Sequence, residues 1–432
     1  MVEKKRLPFG ENQTKRYVSE GGEQQLFVSH SVNGGSVELV DYMGGDGTVE
    51  RVATAGHGRR IFRENLGERD FFRYLVTHGI YEPFRSVQVK ASFQSPISVG
   101  LNFVYDSRVN INEYSGRYST MLSSFFVPSV EQIAGFLSGV NEQDMKLERA
   151  RGIRNLILKR REEVRNGYNR LIGLDMTREL ARSGLGIDND TRYFWKIDLF
   201  SLADFVGKQR KLHTGKGPAS AYVEKIAEIA SAVAPLSWSV LMEHNLTSKT
   251  DFNLTLPNDD VVVDDSLSLP DWEPKTTRRV SVSTLEEILF VSRKILDHGE
   301  IQAVDYMGDD NSMAEAARTS YGEGTKSLQD NAALVRSLIR DLHTSPIEMA
   351  ELAIEGKVPV FVDPRQWGRH RTLDNHGFMG YVPLGSQFYM PADGEFKYQD
   401  RKNRQGRGKD MDDDDKNVAK RILGGTFESE LR

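Results

Sequence analysis

The 432-residue sequence has no cysteine. This excludes a disulfide framework, thiolate metal sites and any mechanism built on a cysteine nucleophile. Long hydrophobic runs are missing too: no apolar stretch reaches the roughly 18 residues that a membrane-spanning helix needs. A strong charge of one sign is also absent. The formal net charge of −5 provides no general attraction for nucleic acid or acidic membranes, although local basic clusters suffice for a small phosphate. At the N-terminus, Met1-Val2-Glu3-Lys4-Lys5-Arg6 has basic residues with no apolar segment behind them, so it does not read as a secretory signal, and a cytoplasmic location is expected. No metal site is expected.

What is present is a composition of 38% hydrophobic and 28% charged residues, that of a soluble globular protein. The length suits two or three domains, and internal repetition decides their arrangement. Leu26-Phe27-Val28-Ser29 returns as Leu289-Phe290-Val291-Ser292, Val40-Asp41-Tyr42-Met43-Gly44 as Val304-Asp305-Tyr306-Met307-Gly308, and Phe125-Phe126-Val127-Pro128 as Phe388-Tyr389-Met390-Pro391, at offsets of 263 or 264. A repeat this long is a duplicated domain and not a solenoid, whose periods run at roughly 20–50 residues. The expected organisation is a first copy over residues 14–252, a linker over 253–277 marked by two Leu-Pro steps and the acidic pairs Asp259-Asp260 and Asp264-Asp265, and a second copy over 278–432.

In copy one the residue patterns predict a helix over 71–77, strands over 87–93 and 97–105, a long amphipathic helix over 142–167 whose Arg and Lys residues form a solvated face, and helices over 177–183, 200–210 and 219–233. Copy two is predicted to start near Arg279, with helices over 312–320 and 330–342, a strand over 358–362, a mobile solvated loop over 401–415 and a last helix from near Asn417. The mixture is α+β. Arg432 aligns with residues 164–166, so the rest of copy one has no counterpart. A stop inside a helical pattern leaves an apolar face without partners, and a fragment of a longer chain is expected over a half-domain.

One stretch is chemically dense. Asn112-Glu113-Tyr114-Ser115-Gly116-Arg117-Tyr118-Ser119 follows a predicted strand and gathers a carboxylate, a hydroxyl, a point of close backbone approach and a guanidinium. Arginine's planar fork grips a phosphate or a pyrimidine edge through paired, charge-assisted hydrogen bonds, so the set suits a phosphorylated ligand. Taken alone it also reads as a polar turn after a strand. Copy two has Gly377, Met379 and Tyr381 at the positions of Glu113, Ser115 and Arg117, but opens the segment with Arg369-His370-Arg371, where copy one has Tyr105-Asp106-Ser107. Each copy holds half of one motif. Together the halves resemble the signature of the flavin-dependent thymidylate synthases, in which Arg-His-Arg is followed a few residues on by Asn-Glu-Tyr-Ser-Gly-Arg-Tyr-Ser. The resemblance extends over most of copy one.

The resemblance implies two tandem copies of that family's α+β domain with divided roles. For copy one it implies dUMP binding by Glu113, Ser115, Gly116 and Arg117, assisted by Arg182 and, after a one-residue shift, Arg210; both of these arginines also read as surface residues on helices. Ser115 and Arg117 are the implied catalytic pair, the first orienting the nucleotide and the second stabilising charge on its ring. For copy two it implies FAD binding by Ser320, by His343, Ser345 and Glu348, and by Arg369, His370 and Arg371, with Gln366 and Arg369 also reaching dUMP. Ser345-Pro346-Ile347-Glu348 reads equally as a helix-capping box, and the two readings are compatible because a helix N-terminus attracts phosphates. Copy one has Ala55, Ile80, Tyr81, Glu82 and Arg85 at the corresponding flavin positions, and Asp198, Phe200 and Asp204 where the family has flavin-contacting Asn, Arg and Asn.

The implied reaction is one-carbon transfer from methylenetetrahydrofolate to C5 of dUMP, with FAD providing the hydride that a cysteine-free site cannot replace and NADPH re-reducing it. The family's homotetramers assemble their sites between subunits, which implies hybrid sites between the two copies and a homodimer acting as a pseudo-tetramer. Hydroxymethylation, or methylation of another pyrimidine nucleotide, is the alternative within the class, with His376, Phe378 and Tyr381 reshaping the pocket. A noncatalytic nucleotide- or flavin-binding protein is the alternative outside it. Loss of opposite half-motifs favours specialisation, since random decay would strike both copies haphazardly.

Overall fold

A computed structural model of the chain describes residues 13–18, 24–32, 34–57, 67–104, 108–137, 143–213, 217–246, 282–295, 299–319, 330–357, 389–401 and 407–430. In copy one, β1 (Gln13–Val18), β2 (Gln24–Val32), β3 (Gly35–Met43), β4 (Gln88–Pro96), β5 (Asn110–Glu113) and β6 (Asp190–Asp198) form one antiparallel sheet in the order β1-β2-β3-β4-β6-β5. Helices α1 (Asp46–His57), α2 (Glu68–Thr77) and α3 (Glu82–Arg85) separate β3 from β4, and α4 (Ile97–Val104) follows β4. Next, α5 (Val130–Phe136), α6 (Gln143–Gly173) and α7 (Arg178–Ala181) lie between β5 and β6, and α8 (Leu199–His213), α9 (Pro218–Val233) and α10 (Pro235–Leu246) close the copy. Among the described residues no helix is long and apolar enough to cross a membrane.

The period of two in β4 and β6 divides the sheet into an apolar and a polar face. Val89, Ala91 and Phe93 pair with Ile197, Trp195 and Tyr193, all buried in the main core together with residues of α4, α8, α9 and α10. Phe93 stacks on Tyr193 at 5.0 Å and meets Trp195 edge-on at 5.8 Å, while the Trp195 indole donates to the Phe103 carbonyl at 3.2 Å.

Copy two begins with α11 (Ser283–Glu286) and the three-stranded sheet β7 (Arg293–Ile295), β8 (Gly299–Met307) and β9 (Glu351–Lys357), with α12 (Asp310–Thr319) and α13 (Asn331–Arg340) between β8 and β9. A hairpin of β10 (Lys397–Gln399) and β11 (Arg407–Asp410) then leads to α14 (Asp413–Glu430). The repeat recurs in register: Asp41↔Lys90 and Met43↔Gln88 of β3–β4 are matched by Asp305↔Ala353 and Met307↔Glu351 of β8–β9, and both pairings carry an irregularity just before the aspartate. Leu352 and Ile354 occupy the places of the buried Val89 and Ala91 but are exposed.

The polar face of the copy-one sheet is covered by copy two. Asp41, Lys90, Lys196 and Asn110 stand side by side across β3, β4, β6 and β5. Each bonds across the seam: Asp41 accepts from the Gly308 amide at 3.1 Å, Lys90 donates to the Met349 carbonyl at 3.0 Å, Lys196 pairs with Glu351 at 2.8 Å, and the Asn110 amide donates to Glu348 at 2.9 Å. The first contact is reciprocated, because the Gly44 amide donates to Asp305 at 2.9 Å. Gly44 and Gly308 both have positive φ, 76° and 81°, a conformation that suits glycine and turns each amide towards the other copy's carboxylate. The contact is therefore a pseudo-two-fold one.

Several sequence expectations are corrected. Residues 97–105 were expected as a strand, but Ile97–Val104 is α4: Pro96 ends the ladder, and Val99 and Phe103, four residues apart, share one buried helical face. Part of the expected loop over 401–415 is structured, with Arg407–Asp410 paired to Lys397–Gln399. The last helix starts at Asp413, so its acidic run sits at the positive end of the helix dipole. The expected strand over 358–362 and the linker over 253–277 lie outside the described residues.

Because the aspartate contacts are reciprocal, Asp41→Ala and Asp305→Ala should each destabilise the chain by about 1.5–3 kcal/mol, the range for a hydrogen bond to a charged group. Urea unfolding of the two variants checks this. Losses differing by more than about 2 kcal/mol would contradict a two-fold seam.

Candidate functional site

The signature turn is built at the end of β5. Tyr114 extends the pairing with β6 by donating its amide to the Arg192 carbonyl at 2.8 Å, and the amides of Tyr118 and Ser119 then fold back onto the Ser115 carbonyl at 3.2 and 3.1 Å. Glu113 is exposed and accepts from the Thr191 hydroxyl at 2.8 Å. The Ser115 hydroxyl accepts from the Arg117 amide at 3.3 Å. Gly116 is buried, and a Cβ there would lie 2.4 Å from the Met121 sulfur and 3.1 and 3.2 Å from Cδ and Nη1 of Arg182. The turn thus needs glycine so that Arg182, just beyond α7, can lie against it. Arg117 points outward, 60% exposed, with Glu179 at 3.5 Å.

The six copy-one residues expected at the site divide accordingly. Glu113, Ser115, Gly116, Arg117 and Arg182 are together, while Arg210 forks onto Glu224 of α9 at 2.8 and 2.6 Å, a bond that raises its already high pKa. Burial pushes the Tyr114 hydroxyl up, partly offset by its hydrogen bond with Ser119.

Copy two reaches the same strand. Ser345 donates its hydroxyl to the Asn112 side-chain oxygen at 3.1 Å, the Asn112 amide donates to the Ala316 carbonyl, and Glu348 receives Asn110. Asn112 is buried and directly precedes Glu113. His343 is exposed beside Leu342, whose φ of 56° falls where copy one has Gly79 at 72°. The expected capping box is not formed. Ile347–Met349 is a single 3-10 turn without a side-chain cap, because the Ser345 hydroxyl and the Glu348 carboxylate are engaged across the seam. Ser320, Gln366, Arg369, His370 and Arg371 lie outside the described residues, as do Tyr105, Asp106, Ser107, Gly377, Met379 and Tyr381.

The corresponding flavin positions of copy one are filled by their own side chains. Arg85 lies 3.5 Å from Asp198 and 4.7 Å above the Phe200 ring, Tyr81 stacks on that ring at 4.4 Å, and Asp204 pairs with Arg108 at 2.7 Å. These side chains fill the cluster by pairing with one another.

Sequence reasoning missed the support under the turn. The Arg and Lys residues of α6 were expected to form a solvated face, but Arg165 donates to the carbonyls of Leu122 and Met121 at 2.6 and 2.8 Å, Arg161 pairs with Asp188, and Tyr168 accepts the Met121 amide at 2.9 Å. Their spacing, 161, 165 and 168, marks one helical face and was the available signal.

A family model described as "Thymidylate synthase complementing protein" matches residues 38–236 and 302–423. A flavin-dependent thymidylate synthase of Gluconobacter oxydans is 43% identical over 152 residues, 35% of this chain and 50% of the relative. One from Rickettsia conorii is 43% identical over 149 residues, 34% of this chain and 50% of the relative. The chain spans about half the length of the curated relatives it matches. Among solved structures, the UMP/dUMP methylase PolB from Streptomyces cacaoi bound with 5-Br dUMP aligns with a TM-score of 0.42 at 19% identity, over 50% of this chain and 97% of that one.

Replacing Arg165 with Met should release two carbonyls beneath the turn and cost about 1.5–3 kcal/mol for each bond, the range for hydrogen bonds to a charged group. Hydrogen exchange should show the amides of residues 118–121 opening faster, with those of β4 unchanged.

Proposed function

From a chain that belongs to the family of thymidylate synthase complementing proteins, we infer an enzyme that methylates C5 of dUMP with a flavin cofactor, FAD, and methylenetetrahydrofolate and NADPH as co-substrates. Its sites combine the nucleotide half of copy one, within 14–252, with the flavin half of copy two, within 278–432. The observation that carries this reading is the seam at β5, where Ser345 and Glu348 of copy two hold Asn112 and Asn110, the strand that runs into Glu113. A homodimer of chains, a pseudo-tetramer of copies, is the assembly this reading requires.

In this reading Arg117 and Arg182 hold the nucleotide's anionic groups, Ser115 orients it, and Glu113, fixed by Thr191, accepts from the ring edge. Charge that develops on the ring carbonyls as C5 becomes nucleophilic falls to these arginines, work typically worth about 3–4 kcal/mol per preorganised donor once solvent is displaced. The flavin would supply the hydride that makes methyl transfer possible without a thiolate. On copy two the residues of this reading are His343, exposed in the structure, Ser345, and by sequence alone Arg369, His370 and Arg371, whereas the filled cluster at Arg85 and Phe200 leaves copy one without such a set.

Arg117→Ala should weaken dUMP binding roughly ten- to a hundredfold, the loss expected for a charge-assisted bond, with flavin content nearly unchanged. Calorimetry and flavin absorbance read the two separately; flavin loss with intact dUMP affinity would reverse the assignment of halves.

Flavin stoichiometry should be one per chain and fall in Arg371→Ala and His370→Ala, while substitutions of Asp106 and Ser107 leave it unchanged. Two flavins per chain, or equal losses from both copies, would overturn the division of roles. Purified protein that stays colourless with added FAD would remove the enzymatic reading.

A further inference from the structure

The seam between the copies is symmetric in backbone but not in charge. Copy one places cations on it: Lys196 against Glu351, Lys90 against the Met349 carbonyl, and Arg51 against Glu355 and above the Phe290 ring at 5.3 Å. The carboxylates that meet these cations, Glu351 and Glu355, both belong to copy two, while Asp41 and Asp305 face backbone amides from either side. Arg51 is 8% exposed and Glu355 17%, so the pair sits largely out of water. Glu355 also receives the Gln302 amide at 2.9 Å.

The strand registers identify each residue's counterpart in the other copy. Gln88 of copy one corresponds to Glu351, Ser92 to Glu355, and Lys90 to Ala353. Arg51, five residues into α1 after Asp46, corresponds to Glu315 after Asp310. Two first copies docked through this seam would set Lys196 against Gln88 and Arg51 against Ser92, where the existing seam has Glu351 and Glu355. Two second copies would set Glu315 against Glu355, two carboxylates where the existing seam has a salt bridge. Uncompensated charge in such a place is costly, and like charges more so.

We propose that the seam is charge-coded for unlike pairing: the polar sheet face of copy one takes copy two and refuses a second copy one, and copy two refuses its own kind. The partner it fits is an acidic copy two, whether from the same chain or another. The proposal rests on the seam alone and stands or falls independently of the catalytic reading.

The test mimics like pairing inside the full chain by giving one copy the other's residue. Arg51→Glu sets a carboxylate against Glu355, as two second copies would, and should lower the thermal midpoint by about 4 °C or more. Adding Glu355→Arg reverses the polarity and should recover at least half of that loss. An Arg51→Glu chain as stable as the parent, or a reversed pair no better than the sum of its single changes, overturns the proposal. Should Arg51→Glu fail to fold, the neutral cycle of Lys196→Met and Glu351→Gln decides. Coupled losses support unlike pairing, and strictly additive losses overturn it.

Discussion

The structure depends on a row of polar side chains that cannot face an apolar layer and are not left in water. Lys90 and Lys196 sit on adjacent central strands, and burying each ammonium costs several kcal/mol unless an acceptor meets it. Met349 and Glu351 provide those acceptors only while copy two lies on the sheet. An antiparallel sheet usually buries one face and wets the other; here copy two covers the second face. The same row ends at Asn110, two residues before Asn112 and three before Glu113, so the position of the signature turn follows from the docking.

Duplication gives two copies of one backbone plan, and the differences between them are mutually consistent. Where copy two has Glu348 turned towards Asn110, copy one has Arg85 turned towards Asp198 and the Phe200 ring, with Tyr81 stacked on the same ring. An arginine there with the asparagine and arginine that the family places at 198 and 200 would meet like charge and no ring. The replacements make sense only as a set.

Much of this was legible in the sequence because it is local or repeated. The matched pentapeptides around Asp41 and Asp305 fall on strands of the same register, and the helices expected over 200–210 and 219–233 match α8 and α9, the first short by one residue at its start and three at its end. What was not legible depends on partners distant in sequence. Residues 97–104 have the β-branched and apolar content of a strand, but Pro96 and the core under Val99 and Phe103 make them a helix. Ser345 and Glu348 have capping-box spacing, yet Asn110 and Asn112, over two hundred residues away, engage both. Arg165 looked like any charge on a polar helix until the chain after the turn passed beneath it.

The turn itself limits how a nucleotide could be recognised there. The amides of Arg117, Tyr118 and Ser119 are already bonded to Ser115, so they do not form the amide nest that many phosphate loops use. Recognition then falls to side chains. Arg117 has one long contact to an exposed glutamate, an interaction worth little in water and readily exchanged for an anionic ligand. Arg182 is held in place by its packing on Gly116, which a methyl group would disturb. Arg210 would have to break a two-pronged bond to Glu224 before it could bind anything else, so it is the arginine least prepared for a ligand. In the proposed site, recognition by two guanidinium groups would depend on what fixes the turn that presents them, and that is the close packing at Gly116 and the bonds from Arg165 of α6 to the carbonyls of Met121 and Leu122.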